Sequence, residues 1–550
     1  MSFIDLGFGV EVNSATVSDK MGAIFTPGLV RILSKFHTSF NEERVDLLEK
    51  RRVRQIKFDA GELPSYQDSK HICSKTSWEI APLPEDIKKR RVEITGPVHS
   101  TKMVINMLNR NSFGERADTA MLDFEDSMKP SWFNVVNGVL NVMGAVRKDL
   151  VVETEKKTYQ LNPNDMAKVM VRVRGLHLEE ANVKVNGENI SAGMFDLLAC
   201  FFHTFRTLVD RGETPLFYIP KCEHYEEARF WNTLFSALEY EFDLKRSTIR
   251  STFLIETLPA AFQMEEILYE IKDHAAGLNG GRWDKIFSDI KVLRKHKQFV
   301  LADRSTIDMK KYWMDNYAKR LIRVCHSHGA FAIGGMSAFT PGNTKEIREA
   351  QTKKVVEDKQ YESSIGHDGC WVSHPYFIGF ALKQFPNKNQ LSVQNKDFPL
   401  HPELLPSADG PKTLEGLRKN IRVGIAYQEG WNRDIGCVSW DGLMEDLATF
   451  EISRAQVWQW KYHEVTLDSG LQVTEDLIRT IFNDELTKII WELKQQLEPH
   501  STLYLETVTR YRKAKEDAVE LFLEHELRPF LTETSILATE TKTAHINKSV

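Results

Sequence analysis

Six cysteines in 550 residues, Cys73, Cys200, Cys222, Cys325, Cys370 and Cys437, never approach a C-x-x-C spacing. That scarcity leaves neither a structural zinc motif nor a disulfide framework, and it favours a reducing compartment. Long apolar runs are also missing: no stretch approaches the roughly 20 residues that a membrane span needs. Met1-Ser-Phe-Ile-Asp5 lacks the basic segment and apolar core of a secretory leader. No glycine-rich phosphate loop follows the first strand candidate, which counts against a doubly wound dinucleotide-binding sheet. Positive charge is not in excess either. A formal charge of −5 and a pI near 6.4 argue against a general nucleic-acid binder. The basic run Lys88-Lys-Arg-Arg91 reads as a solvated helix end rather than a localisation signal. The last four residues, Asn547-Lys-Ser-Val550, are not the Ser-Lys-Leu peroxisomal address. The expectation is a soluble intracellular protein that meets neither nucleic acid nor membrane.

What is present is a chain with 42% hydrophobic and 27% charged residues, ordinary for a globular protein of several domains. Residues 1–90 read as a charged helical segment, in which Pro27-Gly-Leu-Val-Arg-Ile-Leu has helical apolar spacing. Over residues 91–385 short apolar runs alternate with helical stretches, the pattern of parallel β/α units. Eight strands are expected. The first four are Val92-Glu-Ile-Thr95, Thr119–Asp123, Lys168–Arg172 and Pro215–Ile219. Thr252–Ile255, a weaker Ala275–Leu278, Ala330–Ile333 and Cys370–Ser373 follow. Eight strands close a (β/α)8 TIM barrel, and this length suits one with insertions. A Pro- and Asn-rich linker is expected over residues 386–412. A helical C-terminal domain is expected over 413–535 and a flexible tail over 536–550.

Barrel chemistry sits at the C-terminal ends of the strands. Two apolar runs there end in acids, Thr252-Phe-Leu-Ile-Glu256 and Gly277-Leu-Asn-Gly-Gly-Arg-Trp-Asp284. Carboxylates without His or Cys beside them suit Mg²⁺, which takes oxygen ligands and keeps several waters. The bland alternative is a pair of surface acids. Arg172, inside an apolar strand, needs an acid or an anionic ligand, and Arg174 points the same way more weakly. Phe124-Glu125-Asp126-Ser127 is either a support for Arg172 and ligand waters or a helix N-cap. Lys221, Met336 and Trp371 also fall at strand ends. Glu445-Asp446 adjoins an apolar helix, where spacing alone favours a helix cap or salt bridge.

A set of motifs in fixed order goes further. Val92-Glu-Ile-Thr-Gly-Pro97, Asp123-Phe-Glu-Asp-Ser127, Val171-Arg-Val-Arg-Gly175 and Tyr218-Ile-Pro-Lys-Cys-Glu223 come first. Leu254-Ile-Glu-Thr-Leu-Pro259, Gly277–Asp284, Gly334-Gly-Met336, Gly366–Pro375, Leu443-Met-Glu-Asp446 and Glu451-Ile-Ser-Arg454 follow. Together, across residues 90–460, they resemble the A-type malate synthase family. The resemblance implies a Mg²⁺-dependent condensation of acetyl-CoA with glyoxylate and hydrolysis to malate and CoA, the step of the glyoxylate bypass. It implies Asp446 as the base on the acetyl methyl group, so that the C-terminal helical domain caps the active site at the barrel mouth, and Arg172 as enolate stabiliser or proton donor. It implies Glu256 and Asp284 as Mg²⁺ ligands. The backbone of Gly281 to Asp284, Trp283 included, would cradle the glyoxylate carboxylate, Trp371 would line the acetyl pocket, and Asp123 and Glu125 would support these groups. The family often works in peroxisomes or glyoxysomes; this C terminus leaves cytosol or peroxisome as alternatives.

The chain departs from the family pattern at Val173, Leu176, Gly280, Lys285, Ser337, Phe339, Thr340, Cys370 and Trp440. These changes raise a competing reading, a weakly active paralogue with altered acyl-CoA preference or a binding role. A related lyase acting on a malyl-type CoA thioester is a further alternative, against which the helical domain carrying Asp446 argues.

Overall fold

The computed structural model describes residues 2–16, 19–67, 71–155 and 157–532. All eight expected strands are present: β1 Val92–Pro97, β2 Thr119–Asp123, β3 Lys168–Arg172, β4 Leu216–Ile219, β5 Arg250–Leu254, β6 Ala275–Asn279, β7 Phe331–Ser337 and β8 Gly369–Val372. They close in sequence order into a parallel barrel, with Cys370 of β8 beside Val92 of β1. The weak signal of β6 has a steric cause. A Cβ on Gly277 would lie 2.2 Å from the Phe331 carbonyl oxygen of β7, so close strand approach demands the residue that weakens strand propensity. Strand β7 runs four residues past its expected end, through Gly334 and Gly335; a Cβ on Gly334 would meet the Glu362 carboxyl at 2.6 Å.

The N-terminal segment is not purely helical. Phe3–Asp5 and Val10–Asn13 join Glu179–Val185 and Glu188–Ser191 in a four-stranded antiparallel sheet. Helix α1, Pro27–Asp59, starts with Thr26 capping the Leu29 N–H and Pro at its first turn. It crosses the barrel's flank and delivers Arg51, which donates to the Lys221 carbonyl and to Glu227, both at 2.7 Å.

Two further helices frame the barrel mouth, α2 Arg282–Val292 and α3 Lys345–Ile365. Beyond β8 a short helix, Ile378–Leu382, and then an irregular stretch lead to Thr413, which caps α4, Leu414–Asn432. Then come a hairpin of Val438–Trp440 and Leu443–Glu445, and helices α5 Leu447–Tyr462, α6 Glu475–Gln496 and α7 Thr502–Phe522. Helix α5 is buried on all sides from Leu447 to Trp460, so it is the core of this region. It packs on α2 through Ile452, Ala455 and Trp458 against Ile286, Phe287 and Ile290. Main-chain bonds seat the hairpin on the barrel: Met444 N–H to Ala338 O at 2.7 Å, and Thr340 N–H to Gly442 O at 3.0 Å.

Two expectations need correction. Of the basic run, Arg90 is 1% exposed, bonding Glu93 at 2.7 Å and Thr252 at 2.9 Å, and Arg91 pairs with Asp118. The run is therefore partly a buried floor under the barrel. Among the described residues one helix, Ala192–Asp210, is long and apolar enough to cross a membrane, although 72% of its most apolar window is buried. It packs against helix Trp132–Arg147 in the barrel shell. The expected tail and the last four residues lie outside the described residues.

Candidate active site

A cavity of about 820 Å³ opens at the C-terminal ends of the barrel strands, roofed by the hairpin and the start of α5. Asp123, Arg172, Glu256, Gly281, Trp283, Asp284, Trp371 and Asp446 all line it. Glu125 does not; it faces a smaller cavity behind this wall.

Arg172 ends β3, and register puts it between Asp123 of β2 and Tyr218 of β4. Its Nε and Nη2 donate to the two oxygens of Asp123 at 2.7 and 2.6 Å. This bidentate pair fixes the guanidinium plane and leaves Nη1 towards Glu125 at 3.4 Å and Asp126 at 3.7 Å. The Trp371 ring lies 5.5 Å from the guanidinium carbon. Burial works against ionised Asp123, yet the Arg172 guanidinium outweighs it and holds the carboxyl below its usual range. The Asp123–Ser127 segment is a turn rather than a helix cap, because Asp123 accepts from the Glu125 and Ser127 N–H groups at 2.9 and 3.0 Å. Arg174 turns away, into a bidentate pair with Asp196 and a bond to Glu180 at 2.8 Å. Strand β3 has ended at Arg172, so alternation no longer aims Arg174 at the mouth.

Glu256 lies two residues past β5. Asp284 is not a strand end: Gly280 and Gly281 break the chain, Gly281 caps α2, and Asp284 sits in the helix's first turn. A Cβ on Gly281 would meet the Glu256 Cβ at 3.0 Å and Oε2 at 3.2 Å, so glycine is what lets the two loops approach. Lys221 joins them. Its N–H donates to Glu256 Oε1 at 2.8 Å, and its ammonium lies 2.9 Å from Asp284 Oδ1 and 2.8 Å from Asp126 Oδ2. Lys221 has φ +54°, in the left-handed region; the bonds to Arg51 and Glu256 hold it there.

The donor set accommodates Mg²⁺. Glu256 Oε2 is buried and has no hydrogen-bond partner among the described residues. Burial and neighbouring Glu256 push the Asp284 carboxyl up to about 7, the mark of two acids sharing one site. Among the described residues no three His, Cys, Asp or Glu side chains cluster as metal ligands. The remaining positions would fall to water or substrate oxygens, which Mg²⁺ accepts readily.

Asp446 is both helix cap and cavity wall. Its carboxylate accepts the Thr449 N–H at 3.2 Å, and the Thr449 hydroxyl accepts the Asp446 N–H at 2.9 Å. It is 7% exposed. Burial, then the charges of Asp126 and Asp284, raise its carboxyl well above the usual range. Trp283 lies between Arg282 and Arg304, with guanidinium carbons 4.4 and 5.4 Å from its ring.

Asp126, expected as a support for Arg172 or as a helix cap, lines the cavity itself, and so does Cys437, which the sequence did not single out. Lys221 was expected only as a strand-end residue, because its left-handed backbone carries no signature in the residue type. None of the nine departures from the family pattern is among the cavity-lining residues. Phe339 pairs with Leu443 across the seam between barrel and C-terminal region, whereas Trp440 packs on Tyr511 inside the C-terminal region.

Comparison with known proteins gives a consistent result. Residues 12–70 match the family model "Malate synthase, N-terminal domain", 168–405 match "Malate synthase, TIM barrel domain", and 411–535 match "Malate synthase, C-terminal". Malate synthase A of Escherichia coli (strain K12) is 43% identical over 481 residues, covering 86% of this chain and 89% of that protein. Malate synthase of Myxococcus xanthus is also 43% identical, covering 88% and 89%. A glyoxysomal malate synthase of Candida tropicalis is 40% identical over the same shares.

Proposed function

The chain belongs to the malate synthase family, and on that premise we propose that its cavity joins the methyl carbon of acetyl-CoA to the aldehyde carbon of glyoxylate. Thioester hydrolysis then yields malate and CoA, so the enzyme is an acyltransferase. The observation that carries the site assignment is convergence: Asp446 comes from the C-terminal region, yet it shares one cavity with Arg172, Glu256 and Asp284 from the barrel.

Asp446 takes a proton from the acetyl methyl group. An Asp of ordinary pKa, roughly 3.9, is a feeble base towards a carbon acid, and each unit of mismatch costs about 1.4 kcal/mol. Burial and nearby carboxylates narrow that gap by raising Asp446. The developing enolate oxygen needs preorganised positive charge. Arg172 supplies it and stays in place because Asp123 grips its other edge. The N–H groups opening α2, at Arg282, Trp283 and Asp284, suit the glyoxylate carboxylate, as helix N-termini suit anions. Trp371 walls the acyl group, its indole N–H fixed by Glu93 at 2.9 Å. Glu256 and Asp284 would hold Mg²⁺, which when bound polarises the aldehyde as a Lewis acid. The α5 roof keeps water from the enolate until the carbon–carbon bond has formed.

The test is product identity. Deuterated acetyl-CoA and glyoxylate with Mg²⁺ are expected to give malate carrying two deuterons at C3, with Glu256→Gln slower by about 10²-fold. Absence of labelled malate from the folded wild type would overturn the reading.

A further inference from the structure

Behind the wall made by Asp126 and Asp284 lies a second cavity of about 20 Å³. A hole needs roughly 10–15 Å³ to hold one water, and the water needs polar partners. Polar partners are present: Asp126, Lys221, Asp284, Glu451 and His177 line this cavity. His177 is 7% exposed, and its ring stacks on Phe530 with centroids 4.2 Å apart. Its Nδ1 is buried and has no hydrogen-bond partner among the described residues. Burial, then the charges of Arg51 and Lys291, hold this imidazole well below its usual pKa, so it is neutral and has one nitrogen free to accept. A buried unpaired ring nitrogen, on a residue that lines a polar hole of one-water size, is a group that an internal water can satisfy.

The position gives that water a use. Asp126 and Asp284 line both cavities, and the Lys221 ammonium, which lines the small one, pairs with both carboxylates. Hydrolysis needs one water at the acyl carbon after condensation, when the front cavity is filled by the acyl chain. We propose that the small cavity is a water site and that its water, passing Asp126, is the one consumed in thioester hydrolysis. The water oxygen bonds to the acyl carbon and the carbon–sulfur bond breaks. One water proton ends on the CoA sulfur, and the other leaves the new carboxyl group of malate. This inference rests on the condensing activity proposed above.

Two variants test it. His177→Phe keeps the stack on Phe530 and removes Nδ1; Leu178→Phe, from the same lining, fills the cavity without touching a polar group. Rapid-quench mass spectrometry would follow malyl-CoA formation and thiol release separately. Both variants should form malyl-CoA at the wild-type rate while CoA release falls about tenfold or more, so that malyl-CoA accumulates, as withdrawal of a positioned reactant requires. Release that keeps pace with malyl-CoA formation in both variants would overturn the proposal. Failure of the wild type to form malyl-CoA would instead sink the condensing reading. Should the variants not fold, a high-resolution crystal structure of the wild type decides. A water within hydrogen-bond distance of His177 Nδ1 supports the site, and a dry cavity overturns it.

Discussion

The carboxylate of Asp446 accepts the Thr449 N–H and faces the cavity, so an amide there separates two roles. Asn caps a helix about as well as Asp. Because the folded protein raises the Asp446 carboxyl, its stabilising share is complete below the unfolded value and lost as pH rises through the folded one. At neutral pH the ionised group therefore opposes folding. Asp446→Asn is expected to keep or raise the urea midpoint at pH 7.5; a drop of more than about 1 kcal/mol would contradict that sign. Arg172→Lys keeps charge but cannot grip both Asp123 oxygens. Turnover should fall by roughly 10²-fold or more, with glyoxylate KM moved far less, if the guanidinium acts on the enolate. Arg172 was legible because an arginine inside an apolar strand requires explanation. Asp446 was not legible from spacing, since a cap and a base use the same residue in the same place, and only its motif set it apart.

Elements read well where period and burial agreed, and less well where contact with another element decided. Strand β6 looked weak because Gly277 is dictated by the Phe331 carbonyl. Asp284 read as a strand end, although Gly281 had already opened a helix before it. Gly281→Ala should push Glu256 aside, since a Cβ meets its carboxylate at 3.2 Å. Calorimetry should then show Mg²⁺ affinity down by about tenfold or more, and unchanged affinity would count against Glu256 as a ligand. On α3, burial pushes Glu362 up to about 7, against partial relief from Lys359. A raised carboxyl withdraws stability as pH climbs from its unfolded value through about 7, on the order of 3 kcal/mol at most. Glu362→Gln should flatten the fall in urea midpoint between pH 5 and 8, and an equally steep fall would remove Glu362 as its source.

At the scale of the molecule, the proposed function depends on three parts meeting. Helix α1 sends Arg51 to the carbonyl of Lys221, the barrel contributes Arg172, Glu256 and Asp284, and the C-terminal region brings Asp446 through main-chain pairing at Ala338 and Thr340. Composition and strand count made the barrel legible. The capping of the barrel by the C-terminal region followed from the motif resemblance, which puts Asp446 at the mouth. The contribution of α1 was not legible, because bonds between residues 170 apart, such as Arg51 to Lys221, leave no periodic trace. The most direct measurement is free-thiol release from acetyl-CoA, with and without glyoxylate and Mg²⁺, for wild type beside Asp446→Asn. The expected result is release that requires both additions and falls by about 10²–10⁴-fold in the variant, the range for loss of a general base. Release by Asp446→Asn at the wild-type rate would contradict the account.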